Sequence, residues 1–469
     1  MKLATNNQFQ PLTKLGVLLE FGRYSNCFDY LDVNNLGAEI GDMVLVTFKG
    51  NLSVGLVLEK TIITQNTENG NINENISNIK YLFIEEILQK EVFNNCWSNW
   101  LDELAKIYRV SSAKMIKTAF PSGWIGKYKN KHNYQKEHIW ISVLNRDDCW
   151  KNELTPKQSS LMNHLFNKKG IWQSELIKFG YTNSLINRMV EKGIISKTKR
   201  KKFEKLDSYF SEQNIEDSKI PNLTKQQNNT FTQIKKLNPG EAILLWGETG
   251  SGKTEIYLRI SEIELLKNKS CLVLAPEIGL IPQLVDRFSR RLRMNVYEYH
   301  SNCSEKYKKL LWNKLISSDK PVVVIGTRSA VFLPFKNLGL IILDEEHDNS
   351  YKQENPMPCY DARDVALDRA KRHQIKLIYG SATPSMNIWK KVYYEKNILI
   401  SRMRDRISNT KTPEINIIDM RDEFKKGNTK ILSEKLFETL ALLRYKKEQA
   451  IILVPRRGYS GFLSCRNCG

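Results

Sequence analysis

The stretch "EAILLWGETGSGKTEIYL", residues 241–258, decides how this chain is read. An apolar run, Ala242 to Trp246, leads directly into G-x-x-x-x-G-K-[ST], and a helical pattern follows. A buried strand, a glycine turn and a helix in that order form a phosphate-binding P-loop. Gly247, Gly250 and Gly252 let the backbone curl close to a polyphosphate. The N–H groups of the turn, Ser251 included, and the positive end of the following helix then face the anion. Lys253 is expected to reach the β- and γ-phosphates, and the Thr254 hydroxyl to hold Mg²⁺. The expected ligands are ATP and Mg²⁺.

Further along, "LGLIILDEEHD", residues 338–348, supplies the complementary half. An apolar strand delivers Asp344 at its carboxyl end, where open α/β sheets bind ligands. Asp344 is placed to bind Mg²⁺ through water. Glu345 is the candidate base that orients an attacking water. Between and after these two motifs lie "SCLVLAP", "PVVVIGT" and "IKLIYGSA". Continuous apolar runs of this kind belong to a parallel sheet covered on both faces, so the fold class is α/β. A second set of the same kind begins with "EINIIDM" (414–420), passes through a helix near 432–447 and reaches a strand "EQAIILVP" (448–455).

Working outward, residues 1 to about 64 read as short strands, with a hairpin around Gly50-Asn51 in "DMVLVTFKGNLSVGLVLEK". Residues 64–78 are almost free of large apolar groups and read as a loop or disordered excursion. Residues 97–120 show helical spacing and stop before Pro121. Residues 154–200 read as three short helices followed by a cationic tip, "SKTKRKKFEK", the winged-helix pattern. Its readings are a DNA contact, a protein contact and a plain three-helix support. The expected organisation is a β-rich domain with a helical tail at 1–120, a winged helix at 121–205, a linker at 206–221, a P-loop lobe at 222–405 and the start of a second lobe at 406–469.

The chain of 469 residues carries Lys+Arg 72 against Asp+Glu 51, a formal +21. That balance fits a polyanion partner, most often nucleic acid, or a plain lysine-rich composition. The N-terminus lacks an apolar signal core and no run of about 18 apolar residues occurs, so a cytoplasmic protein without a membrane partner is expected. Of the eight cysteines only Cys465 and Cys468 have C-x-x-C spacing, half of a tetrahedral Zn²⁺ site. The two remain either zinc ligands of an incomplete site or reduced surface thiols.

Seven motifs in order resemble those of the primosomal replication restart helicases of superfamily 2: "GETGSGKTEIYL", "PEIGLIPQ", "GTRSAVFLPF", "DEEHDNSYKQE", "YDARDVALDRA", "GSATPS" and "PRRGYSGFLSCRNCG". The resemblance implies an ATP-dependent 3′–5′ DNA helicase that recognises branched forks and initiates replication restart. It implies branched and single-stranded DNA as partners, together with primosome and single-stranded-DNA-binding proteins. A glutamine ahead of the P-loop would read adenine: Gln227, with Gln226 as rival. Arg328 in "GTRSA" would meet the DNA backbone, or serve as a structural ion pair. His347, Ser381 and Thr383 would couple nucleotide state to DNA grip. The segment "SYKQENPMPCYDARD" matches the family's aromatic-rich coupling loop, but its only aromatics are Tyr351 and Tyr360. "CFDYLD" resembles the pocket for a nascent 3′ end, which Phe28, Asp29 and Tyr30 would line; the alternative is that both aromatics are core and Asp29 a turn residue. The resemblance also implies that the chain stops one cysteine pair into a zinc-binding region of the second lobe. Without the later arginines of that lobe, DNA unwinding by this chain is not expected.

Two other classes remain. A non-catalytic fork-binding scaffold would keep the N-terminal and winged-helix contacts and hydrolyse nothing. An RNA helicase or restriction-type translocase would lack a reason for the "FDY" segment and the cysteine pair.

Overall fold

Seven strands, every neighbouring pair parallel, form the sheet that carries the P-loop. The computed structural model describes residues 12–21, 24–63, 82–121, 123–128, 137–144, 154–166, 171–201, 220–407, 414–428 and 430–453. Two compact units divide the chain, residues 1–408 and 409–469.

The first unit opens with β1 (Leu12–Phe21), β2 (Tyr24–Leu31), β3 (Met43–Phe48), β4 (Asn51–Ile63) and β5 (Leu82–Gln89). They form one sheet, whose β3–β4 hairpin pairs Phe48 with Asn51. The two turn residues are therefore Lys49 and Gly50, one position before the expected pair. Both have positive φ, +48° and +75°, as a type I′ turn requires. The expected helix at 97–120 is two helices, α1 (Asn95–Ile107) and α2 (Ser112–Ala119). Arg109 enters the left-handed region at φ +51° between them, and the Ser111 hydroxyl accepts from Lys114 N to cap the second helix. Strand β6 (Gly126–Lys127) then pairs with β4, so the N-terminal sheet draws on residues past 120.

The next region holds β7 (Glu137–Val143), α3 (Pro156–Phe166), β8 (Ile171–Trp172), α4 (Gln173–Lys178), α5 (Asn183–Glu191) and β9 (Ile195–Lys201). Three helices and a three-stranded sheet in the order β8-β7-β9 enclose a core of their own, with Ile141, Leu161, Leu176, Ile186 and Ile195 buried. Strand β7 precedes the expected helices and supplies the central strand. The excursion at 64–78 and most of the linker lie outside the described residues.

The P-loop lobe runs α6 (Lys225–Lys235), β10 (Ala242–Gly247), α7 (Lys253–Leu266), β11 (Ser270–Leu274), α8 (Ile281–Leu292), β12 (Val296–Tyr299), α9 (Glu305–Ser317), β13 (Val323–Gly326), β14 (Leu338–Leu343), α10 (Ala362–His373), β15 (Lys376–Ser381), α11 (Met386–Tyr393) and β16 (Leu399–Met403). The strand order is β12-β13-β11-β14-β15-β10-β16, a RecA-like sheet. Strands β12 and β16 were not legible as apolar runs; they sit at the two edges. Alternate residues of each strand face opposite cores. Leu244, Leu272, Ile341 and Leu377 pack with α9 and α10, whereas Ile243, Val273, Ile342 and Ile378 pack with α6, α7 and α8.

The first of these cores continues into the N-terminal sheet. Leu18, Met43 and Val54 join Trp97, Trp100 and Trp312 in one buried cluster. Trp97 Nε1 donates to Phe332 O at 2.7 Å, and Trp312 Nε1 to Val92 O at 2.6 Å. The helical tail of the β-domain therefore joins that domain to the P-loop lobe.

The second unit contains α12 (Met420–Lys425) and α13 (Glu434–Lys446). The strands expected at 414–420 and 448–455 are absent among the described residues: residues 414–419 and 448–453 lie in no strand, and Ile415, Ile417, Ile451 and Leu453 are exposed. An apolar run becomes a strand only with a hydrogen-bonded neighbour, and neither run has one there. Among the described residues no helix is long and apolar enough to cross a membrane.

Candidate active site

Three adjacent strands, β10, β15 and β14, end side by side, and each end carries one expected motif. The turn after β10 brings Gly252 to φ +84° as the cap of α7, with Gly250 at +83°. Close approach requires glycine here. A Cβ on Gly252 would fall 2.3 Å from Gln227 Nε2, and one on Gly247 would fall 2.7 Å from Ser251 Oγ. Ser251 Oγ is buried without a hydrogen-bond partner in the protein, as suits a turn built to receive an anion. Lys253, the first residue of α7, is buried; its Nζ donates to Gly247 O at 2.9 Å and lies 3.9 Å from Glu345 Oε1. Thr254 follows it in the first turn of the same helix.

Asp344 follows β14, with its N–H donating to Leu274 O. Its carboxylate accepts from the Tyr257 hydroxyl at 2.9 Å. Burial, then the neighbouring Glu345 charge, hold the Asp344 carboxyl above the usual range. Glu345 stands in the left-handed region at φ +47°, a strained conformation for a side chain of this kind, and such strain gathers at functional sites. The P-loop and acidic motif thus meet across the ends of two strands separated by one.

That intervening strand, β15, ends in the "GSATPS" segment. His347 Nδ1 lies 2.8 Å from Ser381 Oγ, which in turn accepts from Thr383 N at 3.1 Å. His347 Nδ1 is also 3.6 Å from Glu345 Oε2. A chain of polar contacts therefore runs from Glu345 through His347 to Ser381 and Thr383. Sequence reasoning missed Glu346, which ties the same two loops. Its carboxylate accepts from Ser385 N at 2.7 Å and from Ser385 Oγ at 3.0 Å, and its backbone carbonyl accepts from Arg363.

The glutamines are both engaged. Gln227 is buried, donates to Ser251 O at 2.9 Å and accepts from Thr224 N, completing a capping box on α6. Gln226 accepts from Arg404 N and donates to Asp405 Oδ2 at 2.7 Å. Arg328 reaches two backbone carbonyls. Its Nη1 donates to the carbonyls of Ser350 and Lys352, so it anchors the start of the expected coupling loop. The two aromatics of that loop are fully buried. The Tyr351 hydroxyl reaches Leu274 O at 2.8 Å and Asp344 O at 2.6 Å, and Tyr360 packs edge-on against Phe332. Neither can stack on a base.

On β2, the expected three-residue pocket is corrected. Residues 28 and 30 of a strand share one face and residue 29 takes the other. Tyr30 is fully buried, and its hydroxyl donates to Thr47 O; it is core. Phe28 is half-buried against Phe48, ring centroids 4.9 Å apart. Asp29 alone points the other way, half exposed and paired with Lys14 Nζ at 2.8 Å. Cys465 and Cys468 lie outside the described residues. Among the described residues no cluster of His, Cys, Asp and Glu is arranged to hold a metal ion.

A DEAD/DEAH box helicase family model matches residues 224–391, the span that contains every one of these strand ends. The replication restart protein PriA of Synechocystis sp. is 41% identical over 363 residues, covering 76% of this chain and 43% of that protein. PriA of Bacillus subtilis is 38% identical over 322 residues, 67% of this chain and 39% of that protein. By sequence, the chain belongs to the PriA family. PriA of Helicobacter pylori is 43% identical over 235 residues, half of this chain and 36% of that protein. The chain therefore spans less than half the length of the PriA proteins it matches.

Proposed function

We propose that this chain binds ATP·Mg²⁺ at the ends of β10, β15 and β14 and forms the motor lobe of a DNA helicase acting in replication restart. The carrying observation is the convergence of Lys253, Asp344 with Glu345, and Ser381 on three adjacent strand ends. Lys253 and the P-loop amides would hold the phosphates. Thr254 and Asp344 would hold Mg²⁺, which neutralises developing charge on the transferred phosphoryl group. Glu345 would orient the attacking water, and His347 with Ser381 and Thr383 would pass the state of the site to the DNA-facing loops. Fork recognition, 3′–5′ polarity and primosome partners enter through the family resemblance, and Asp29 is the proposed reader of a 3′ end.

The test is DNA-stimulated ATP hydrolysis by the chain with forked DNA. Lys253→Ala is expected to weaken nucleotide binding and lower hydrolysis by about 100-fold or more, the usual cost of one transition-state donor. Fork binding without hydrolysis in the parent chain would favour the scaffold reading instead.

A further inference from the structure

Helix α7 delivers three side chains to the site, Lys253, Thr254 and Tyr257, and the last was not expected. Lys253 and Tyr257 are four residues apart and share a face of the helix. Lys253 serves the phosphate turn. Tyr257 is fully buried, crosses beneath the end of β15 and donates to Asp344 Oδ1 at 2.9 Å. The path it takes is kept open by the residue above it. A Cβ on Gly380 would fall 1.6 Å from the Tyr257 hydroxyl oxygen and 2.8 Å from its Cζ, while Asp344 Oδ1 lies 3.5 Å from the same point. Gly380 has no positive φ, so backbone conformation does not demand glycine there. The demand is for space, and the occupant of that space is a hydroxyl aimed at the carboxylate.

We infer that Tyr257 is a positioning residue for the metal-binding carboxylate, and that Gly380 is bare in order to admit it. The inference rests on the proposed ATP·Mg²⁺ site. A carboxylate at a strand end can rotate about its terminal bond. With one oxygen tied to Tyr257, Asp344 holds a single orientation before the cation arrives. Partners of this kind fix ligand orientation, and their loss costs about 10–100-fold in metal affinity or activity. Tyr351 holds the same residue by its backbone carbonyl, so Asp344 is fixed at both ends.

The experiment is a titration of the 469-residue chain with a fluorescent ATP analogue, in EDTA and across a Mg²⁺ series, alongside thermal melting. Tyr257→Phe keeps the ring and removes the hydroxyl. Its affinity for the analogue in EDTA is expected to stay within about twofold of the parent, while the Mg²⁺ concentration for half-maximal binding and hydrolysis rises about tenfold. Gly380→Ala pushes the hydroxyl aside and is expected to raise the Mg²⁺ requirement similarly. The double variant should be no worse than the more affected single variant, because both changes break one contact. An unchanged Mg²⁺ requirement in Tyr257→Phe overturns the inference. So does a variant whose EDTA affinity and melting temperature fall together with its Mg²⁺ response, since that marks Tyr257 as core alone. A parent chain that binds no nucleotide removes the ATP reading itself, and the two failures are distinct.

Discussion

At the scale of single residues, the site holds groups that stability alone would not select. Asp344 and Glu345 are adjacent acids at a buried strand end, and Glu345 has positive φ. The raised Asp344 carboxyl means that the folded chain holds this proton more tightly than the unfolded one. Its contribution to stability is therefore greatest at low pH and falls as pH rises from 3.8 through the raised value. Asp344→Asn removes that penalty and keeps an oxygen for Tyr257. The variant is expected to melt at or above the parent temperature near neutral pH, with the difference shrinking as pH falls towards 3.8, and to lose hydrolysis by about 100-fold or more. Melting curves at several pH values decide this. A variant less stable than the parent at neutral pH would show that the charge is compensated in the folded state. Lys253 and Asp344 were legible because each ends an apolar run in a short fixed pattern. Tyr257 was not, because its partner is 87 positions away in sequence and is brought close only by the strand order.

Among the elements, the five central strands of the P-loop lobe were readable from continuous apolar runs, since both faces of each are covered. The edges were not. Strand β12 has four residues and β16 five, and an edge strand needs apolar residues on fewer positions. The break between α1 and α2 was hidden for a different reason: Arg109 adopts the left-handed region without a glycine to announce it. The junction of α1 with α10 carries the next prediction. Arg369 is buried, donates to the carbonyls of Val331 and Leu333, and lies over the Trp100 ring, its centroid 4.9 Å away. Burial pulls its pKa down to about 9. Arg369→Met fills the volume but takes its donor from the buried Val331 carbonyl, at about 1–3 kcal/mol, and leaves the Leu333 carbonyl with the Phe335 N–H alone. A fall in stability of a few kcal/mol is expected in denaturant titration, and Arg369→Lys should not restore it, because one ammonium cannot fork onto two carbonyls. Full stability in the lysine variant would refute the two-carbonyl account.

Across the molecule, the N-terminal sheet and the P-loop lobe share one core, so an event at β2 can bear on a lobe packed against the same helices. The sequence left Phe28, Asp29 and Tyr30 as a group, and the strand separates them. Only Asp29 is turned outward beside Lys14, and Phe28 stands half-buried on the opposite face. The reading of a 3′ end therefore narrows to Asp29, with its ion pair to Lys14 as the contact that a terminal nucleotide would have to displace. With a formal charge of +21, general affinity for DNA should come from Lys and Arg contacts to phosphate and weaken steeply with salt. Those contacts are spread over many residues, whereas end recognition is local. A fork with a free 3′ end is expected to bind the parent chain more tightly than the same fork with that end blocked. Asp29→Ala should erase the difference and leave the salt slope unchanged, because an acid contributes no phosphate contact. Asp29→Asn, which keeps the hydrogen-bonding shape, should retain part of the preference if a base edge or sugar hydroxyl is read rather than a charge. Fluorescence anisotropy at a series of salt concentrations measures both quantities on one sample. Equal affinity of the parent chain for free and blocked ends would remove the pocket from β2, whatever the salt slope.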